Sequence, residues 1–207
     1  LGMMIRVYAG VETTAFLHAD ASDALRDLFA VMERSHLRQF RLAATADVDV
    51  LIGVDDTSTT TQSPAMFETY CVDYTNRIAD AVHALGKFYL HHSCGLIRDL
   101  LGLYRQTRMD GVHALQVPPM GNVTIREAKE RLGPGIVIMA SLTHLFGQMN
   151  DWEAVRRSVR DIFEGAAPGD NFILGLAADP GHTMAETERL LGECRRWQKL
   201  YSRNSEV

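Results

Sequence analysis

Two histidines and a cysteine stand close together in the stretch YLHHSCG, Tyr89–Gly95. His92 and Cys94 are two residues apart on a segment expected to be extended, so their side chains leave the chain on the same side and can converge on one ion. Imidazole nitrogen and thiolate sulfur both bind zinc, and a catalytic zinc site has three protein ligands and one open position. The spacing therefore predicts a metal pair, with His91 pointing away from it and a third ligand supplied from elsewhere.

Two other interpretations of this stretch stay open. In the first, the thiol and the imidazole are packed at a strand end and hydrogen-bonded to neighbouring backbone. In the second, a neighbouring histidine lowers the pKa of Cys94 and makes it a thiolate nucleophile. A histidine two residues away points alongside the sulfur, which disfavours this second interpretation.

The segments that must position these residues alternate between short apolar runs and helical patterns. Six runs are predicted as strands: MIRVYAG from Met4, VDVLIGV from Val48, KFYLHH from Lys87, GVHALQV from Gly111, GIVIMAS from Gly135 and NFILGLA from Asn171. Strands that alternate with helices, without hairpin turns, indicate parallel pairing through right-handed crossovers. The sequence thus predicts an α/β fold in one domain spanning residues 1–207. The strand spacing fits either an open doubly wound sheet or a TIM-type (β/α) barrel, and the barrel is favoured because no G-x-G-x-x-G follows the early strands. About six of the eight strand-helix units of such a barrel are visible.

Hydroxyl residues in front of apolar-periodic stretches mark the predicted helix starts: Ser22, Ser63 before Pro64, Thr124 with Glu127, and Thr183 with Glu186. Ser63 begins a helix predicted to end at Gly86, and Gly133 is predicted to end the helix that follows Thr124. Cys194 lies on the apolar stripe of the last helix, so it is predicted to be a core residue.

Reactive groups in a parallel α/β fold gather at the carboxyl ends of the strands. The polar residues predicted there are Asp55, Asp56, Gln116, His144, Asp179 and His182. We assign a catalytic role to the acidic pair, of which at most one member faces the barrel mouth because adjacent residues of a strand point to opposite sides; the pair could instead cap the following turn. Gln116 and His144 are predicted to bind substrate. His113 lies inside a strand and is predicted to be a satisfied core histidine.

Composition limits the class of partner. A net charge of −5 and a pI of about 5.9 give no basic footprint for nucleic acid or for an anionic membrane surface. A small-molecule substrate fits better. Three widely spaced cysteines indicate reduced thiols, so we expect a cytoplasmic location. No apolar run approaches the length of a membrane span, which is about 20 residues.

Longer segments, taken in order, resemble one family. GKFYLHHSCG, then MDGVHALQVPPMGNVTIREAKERLGPGIVIMAS, then FILGLAADPGHT resemble the uroporphyrinogen decarboxylase superfamily and, within it, the methyltransferase-like branch. The resemblance extends from about Ala43 to Trp197 and includes VDDTSTTTQSPAMFETYCVDYTNRIADAVHALGK. It implies a (β/α) barrel whose first strands precede Leu1, in agreement with the strand count.

The resemblance also implies a zinc site and a methyl-transfer reaction. Methyltransferases of this branch hold zinc with the His and Cys of an H-x-C motif and with a later Cys; the zinc turns a substrate thiol into a thiolate, which takes a methyl group from a methylated corrinoid. His92 and Cys94 match the first two ligands. The third cysteine is expected near Ala178, where the chain has none. Either Asp179 or His182 replaces it as a ligand, or the site is lost or weakened. A corrinoid protein is then an expected partner.

Two alternatives follow from the same resemblance. The decarboxylases of the superfamily remove acetate carboxyls from a porphyrinogen without a cofactor and use an Asp to hold the pyrrole N–H groups. Their strand end reads Ser-Trp after that Asp, whereas Asp55 is followed by Asp56 and Thr57, and their arginine-rich N-terminal segment has no match here. Methyl transfer is therefore favoured. The other alternative is a catalytically silent barrel that binds a small ligand or a partner. The barrel gap is expected to be covered by further residues or by a second copy of the chain.

Overall fold

Parallel strands and helices alternate along the chain in two compact units. The computed structural model describes residues 1–53, 55–142, 145, 147–176 and 182–203, and the units are Leu1–His113 and Ala114–Val207. The described residues contain five strands with interleaved helices, and the strand pairs within each unit are parallel. The predicted α/β class is confirmed. Five strands do not complete the eight of a closed barrel. That the 207 residues form a single domain stays a prediction.

The described residues of the first unit include β1, β2 and the first part of β3, which lie in the order β1-β2-β3. It begins with a π-helical segment, Met4–Tyr8, followed by α1 (Gly10–Asp20) and α2 (Ser22–Ala43). Then come β1 (Val50–Gly53), α3 (Pro64–Tyr70), α4 (Val72–His83), β2 (Phe88–His92), a 3₁₀ turn (Arg98–Leu100), α5 (Leu101–Tyr104) and β3 (Gly111–Leu115). In the parallel register, Gly53 lies beside His91 and His92 lies beside His113.

The described residues of the second unit include two paired strands and three helices. Its elements are α6 (Ile125–Leu132), β4 (Val137–Ser141), α7 (Trp152–Ala166), β5 (Phe172–Gly175) and α8 (Met184–Arg203). One face of α7 is apolar and fully buried, with Val155, Val159 and Ile162 recurring at intervals of three and four residues. This spacing places the three side chains on one side of the helix, where they form part of the core.

The first predicted strand is wrong, because Met4–Tyr8 is helical. Leu1, Met4 and Ile5 are buried, whereas Val7 and Tyr8 are 62% and 66% exposed. Buried positions separated by three and four residues follow the period of a helix, and a strand would bury alternate residues. Periodicity alone does not separate a strand from a helix over so short an apolar run.

Three of the predicted helix starts are confirmed by their capping bonds. The Ser63 hydroxyl accepts a hydrogen bond from the Met66 N–H at 3.2 Å, and the Thr124 hydroxyl accepts one from the Glu127 N–H at 3.1 Å. Thr183 and Glu186 bond each other reciprocally, at 3.2 and 2.8 Å. Gly133 follows α6 with a positive φ of 78°, as a glycine at a helix end allows.

Two details of the predicted helices are wrong. Ser22 is the first residue of α2 and not its cap; Ala21 holds that position, without a side-chain bond. The helix that begins after Ser63 is interrupted at Cys71, which ends α3 and precedes α4. Cys71 is 3% exposed, so packing in the core overrides the local helical pattern. None of the described helices combines the length and the apolar composition needed to cross a membrane.

Substitution Ser63→Ala is expected to lower the free energy of unfolding by about 1 kcal/mol, because the Met66 N–H loses its acceptor. Urea denaturation measures the change. Ser22→Ala is the matched control and should change the free energy of unfolding by less than about 0.5 kcal/mol, since Ser22 does not cap α2. Equal losses in the two variants would contradict this assignment of the caps.

Candidate metal centre

The loop that follows β1 is fastened to the segment that follows β2. The backbone N–H of Thr57 donates to the carbonyl of His92 at 3.4 Å, and the N–H of Thr59 donates to the carbonyl of Leu96 at 2.8 Å. The Thr59 hydroxyl donates to the same carbonyl at 3.0 Å. These bonds tie together two loops that are far apart in sequence, and they hold Asp56 in front of the end of β2.

Gly95 allows the two loops to approach closely. Its φ is 85°, in the left-handed region that glycine adopts without strain. A Cβ atom at this position would lie 3.0 Å from Oγ of Ser58. That oxygen accepts a hydrogen bond from the N–H of Leu96 at 3.2 Å. A larger residue would therefore push against an oxygen that holds the loop in place.

Asp56, His92 and Cys94 form a group of ligand-type side chains at the end of β2. Their ligand atoms all lie within 4.8 Å of one another. Oδ1 of Asp56 is 2.7 Å from Nε2 of His92 and 3.4 Å from Sγ of Cys94. The side chains of Asp56 and His92 are 22% and 18% exposed, so the group is partly shielded but reachable from solvent. The prediction that His92 and Cys94 converge is supported by this geometry, and Asp56 joins them.

Two residues without a predicted role in the site contact this group. Arg6 forms an ion pair with Oδ2 of Asp56, and Nδ1 of His113 lies 2.8 Å from Nδ1 of His92. Arg6 was missed because its segment was predicted as a strand. His113 was assigned to the core, although it lies on the strand that follows His92; only the register of β2 and β3 shows that the two rings meet.

His91 points away from the group, as alternation along the strand predicts. It is fully buried, and its Nε2 lies 2.8 Å from the hydroxyl of Thr57. The rings of Phe67, Tyr89 and Tyr104 pack around it at edge-to-face angles. Burial lowers the pKa of His91 to about 4, so the ring is neutral at pH 7 and acts as part of the core.

The local environment favours the uncharged forms of the two ligand-type groups on the β2 side. Burial, with a further contribution from Arg6, lowers the pKa of His92. Burial also raises the pKa of the Cys94 thiol, although Arg6 acts in the opposite direction. At pH 7 the imidazole is therefore neutral and the thiol protonated. A raised thiol pKa is the opposite of what a cysteine nucleophile requires, which disfavours the nucleophile interpretation.

The other predicted site residues are Asp55, Gln116, His144, Asp179 and His182. Asp55 is half-buried. The pKa of Tyr89 is raised, first by the burial of Tyr89 itself and then by the negative charge of Asp55. Gln116 and His182 are half-buried residues of the second unit. His144 and Asp179 lie outside the described residues. The catalytic, substrate-binding and ligand roles predicted for these residues stay predictions.

The three donors suit zinc by type, because carboxylate, imidazole and thiolate all bind it. Tetrahedral zinc with ordinary bond lengths separates an oxygen from a nitrogen by about 3.4 Å and an oxygen from a sulfur by about 3.6 Å. The observed separations are 2.7 Å and 3.4 Å. The Asp56–His92 contact would thus have to open by about 0.7 Å to admit the ion, a shift within reach of side-chain rotation at a loop residue.

Comparison with known proteins places the chain in a family. A family model described as uroporphyrinogen decarboxylase (URO-D) matches residues 3–196. The chain belongs to the uroporphyrinogen decarboxylase family. A comparison with curated protein sequences gives no match.

Solved structures show the same fold. A methyltransferase from Methanosarcina mazei is similar to the chain with a TM-score of 0.73 at 16% identity, over 92% of this chain and 55% of the methyltransferase. The chain thus spans about half the length of that enzyme. A D-psicose 3-epimerase, solved in the presence of D-fructose, is similar with a TM-score of 0.50 at 12% identity, over 83% of this chain and 69% of the epimerase. At these identities the likeness shows the fold.

Substitution His91→Phe is expected to lower the free energy of unfolding by about 1–3 kcal/mol, because the buried Thr57 hydroxyl loses its partner. Any zinc that the wild-type protein binds should remain bound in this variant, since the His91 ring faces Thr57 and not the group of Asp56, His92 and Cys94. Urea denaturation and elemental analysis measure the two quantities. A folded His91→Phe protein that had lost its zinc would contradict the separation between the buried histidine and the metal group.

Proposed function

We propose that the chain is part of a zinc-dependent methyltransferase of the uroporphyrinogen decarboxylase superfamily, which moves a methyl group from a corrinoid to a thiol. The observation that carries the proposal is the convergence of Asp56, His92 and Cys94 within 4.8 Å. The likeness of the fold to that of a methyltransferase supports it. A corrinoid protein as the methyl donor is part of the same proposal.

His92 would bind the ion through Nε2, Cys94 through Sγ and Asp56 through Oδ1. Asp56 takes the third place, for which Asp179 and His182 were predicted, because it lies 2.7 Å from His92. A carboxylate and a thiolate balance the charge of Zn²⁺, and three protein ligands leave one position for substrate. A zinc ion held there would supply Lewis acidity that lowers the pKa of a substrate thiol.

Groups around the three ligands would keep them in place. Arg6 pairs with Oδ2 of Asp56 and so leaves Oδ1 to face His92 and Cys94. Partners of this kind orient ligating carboxylates and imidazoles in metal sites. In the proposed reaction, the substrate thiol would release its proton to solvent, and its sulfur would form a bond to the methyl carbon of the methylated corrinoid. The carbon–cobalt bond would break, and its electron pair would leave with the corrinoid.

Cofactor-free decarboxylation, the reaction for which the matched family is named, is the second candidate. That reaction needs an Asp carboxylate available to the pyrrole N–H groups of a porphyrinogen. The Asp56 carboxylate is already in contact with Arg6, His92 and Cys94. The arrangement therefore favours metal binding at Asp56 over its use as a substrate hydrogen-bond acceptor.

Substitution Cys94→Ser is expected to remove most of the bound zinc and the methyl-transfer activity together, because a neutral hydroxyl is a much poorer ligand than a thiolate. Elemental analysis measures the zinc, and loss of methylcobalamin absorbance in the presence of 2-mercaptoethanol measures the transfer. Cys194→Ser is the matched control and should leave both unchanged. A wild-type protein that binds no zinc, or a Cys94→Ser variant that keeps full activity, would refute the proposal. Decarboxylation of a porphyrinogen by zinc-free protein would then favour the second candidate.

Substitution Asp56→Asn is expected to weaken zinc binding by at least about tenfold, because the site loses an anionic ligand, and to lower kcat/KM with it. Competition with a chromophoric chelator measures the affinity. Asp55→Asn is the neighbouring control and should change the affinity by less than about twofold. A larger loss of affinity in Asp55→Asn than in Asp56→Asn would show that Asp55, and not Asp56, is the ligand.

A further inference from the structure

The ring of His92, at the end of β2, and the ring of His113, in the middle of β3, share one hydrogen bond. Nδ1 of His92 and Nδ1 of His113 are 2.8 Å apart, and the ring centroids are 5.0 Å apart at an angle of 45°. His92 and His113 are register partners, and the N–H of Ser93 donates to the carbonyl of His113. The backbone pairing therefore fixes both rings, and one of the two Nδ1 atoms must carry the shared proton.

The contact with Asp56 decides which nitrogen carries it in the observed arrangement. Asp56 is paired with Arg6, so its carboxylate is ionised and accepts hydrogen bonds without donating them. Nε2 of His92, 2.7 Å from Oδ1, must then be the donor. In a neutral imidazole the other nitrogen has a lone pair. Nδ1 of His92 is thus the acceptor, and Nδ1–H of His113 is the donor.

A metal on Nε2 requires the opposite arrangement. The ligating nitrogen of a histidine must offer its lone pair, so the ring proton moves to Nδ1. Nδ1–H of His92 then needs an acceptor, and the atom in reach is Nδ1 of His113. His113 can accept there only after its own proton has moved to Nε2. Each ring keeps one proton in both arrangements, so the pair as a whole neither gains nor loses charge.

We propose that the hydrogen bond between His92 and His113 reverses when a metal binds, which makes His113 the positioning residue that switches His92 from its Asp56-bonded tautomer to its metal-binding tautomer. This inference rests on the proposed zinc site and deepens it. His113 does not touch the ion. Its Nδ1 accepts a hydrogen bond from the Nδ1–H that His92 carries when it is a ligand. A histidine suits this role because its ring nitrogen can either donate or accept at the same position.

The reversal is visible in the full chain labelled with ¹⁵N-histidine. Long-range ¹H–¹⁵N correlation spectra distinguish a protonated ring nitrogen from one with a lone pair. Without zinc, His92 should show its proton on Nε2 and His113 on Nδ1. With one equivalent of zinc, the proton of His92 should be on Nδ1 and that of His113 on Nε2. His92→Gln and His113→Asn spectra assign the signals.

Two substitutions test whether His113 positions its partner. His113→Phe keeps a ring but removes the acceptor, and zinc affinity should fall by about 10–100-fold. His113→Asn places an amide oxygen near the position of Nδ1 and should restore the affinity to within about threefold of wild type, since an amide can also accept. His36→Phe is the matched control: it removes a histidine whose Nδ1 lies 3.0 Å from the Tyr74 hydroxyl, outside the metal group. Its zinc affinity should equal that of wild type.

The outcomes separate this inference from the proposed function. Wild-type protein that binds no zinc overturns both. Wild-type protein that binds zinc with the His92 proton still on Nε2 overturns the reversal alone, as does a His113→Phe protein with wild-type affinity. Should His113→Phe fail to fold, the two wild-type spectra decide the question without it.

Discussion

The carboxylate of Asp56 is the charge around which the candidate metal centre is arranged. It brings together donors from three parts of the chain: a guanidinium from the N-terminal helical segment, an imidazole from the end of β2 and a thiol from the loop beyond it. Asp56 has a φ of 47°, which Asp tolerates better than most residues. The bonds between the two strand-end loops hold it in this conformation.

Alternation along β2 separates two environments that differ by a single residue. His92 faces Asp56 and Cys94, whereas His91 lies among aromatic rings and bonds Thr57. The loop after β1 repeats the alternation, because Asp56 contacts the first environment and Thr57 the second. Asp56 contacts His92, and Thr57 contacts His91. These two contacts together fix the register between the loop and the end of β2. A slip by one residue would put a charged carboxylate into the core, at a high cost in free energy.

Local pattern was sufficient for the strands and for part of the site. Five of the six predicted strands are present, because short apolar runs bounded by helix signals are typical of strands. Burial varies among them, since Val50 and Ile52 of β1 are 44% and 39% exposed. His92 and Cys94 were found because their spacing alone makes them converge. Arg6 and His113 required long-range information: the first comes from a helix that was predicted as a strand, and the second depends on the register between two strands. Asp56 was selected as one of a pair, but its place beside the metal-type ligands depends on how the loops pack.

In the candidate metal centre, the anionic carboxylate of Asp56 accepts hydrogen bonds from neutral groups and pairs with the guanidinium of Arg6. Around Oδ1 of Asp56, the His92 imidazole and the Cys94 thiol both present polar hydrogens to the same oxygen. Burial opposes a charge on either group, so these hydrogens are the positive ends of neutral groups, and Arg6 supplies the full positive charge from the other side. A divalent ion at this position would take the place of both hydrogens beside Oδ1. It would also bring a positive charge next to the imidazole, which burial keeps neutral. The thiol proton is the one that must leave the protein, since zinc binds thiolate and deprotonates a coordinating thiol. In the proposed arrangement the imidazole proton stays on His92, on Nδ1, where Nδ1 of His113 accepts its hydrogen bond.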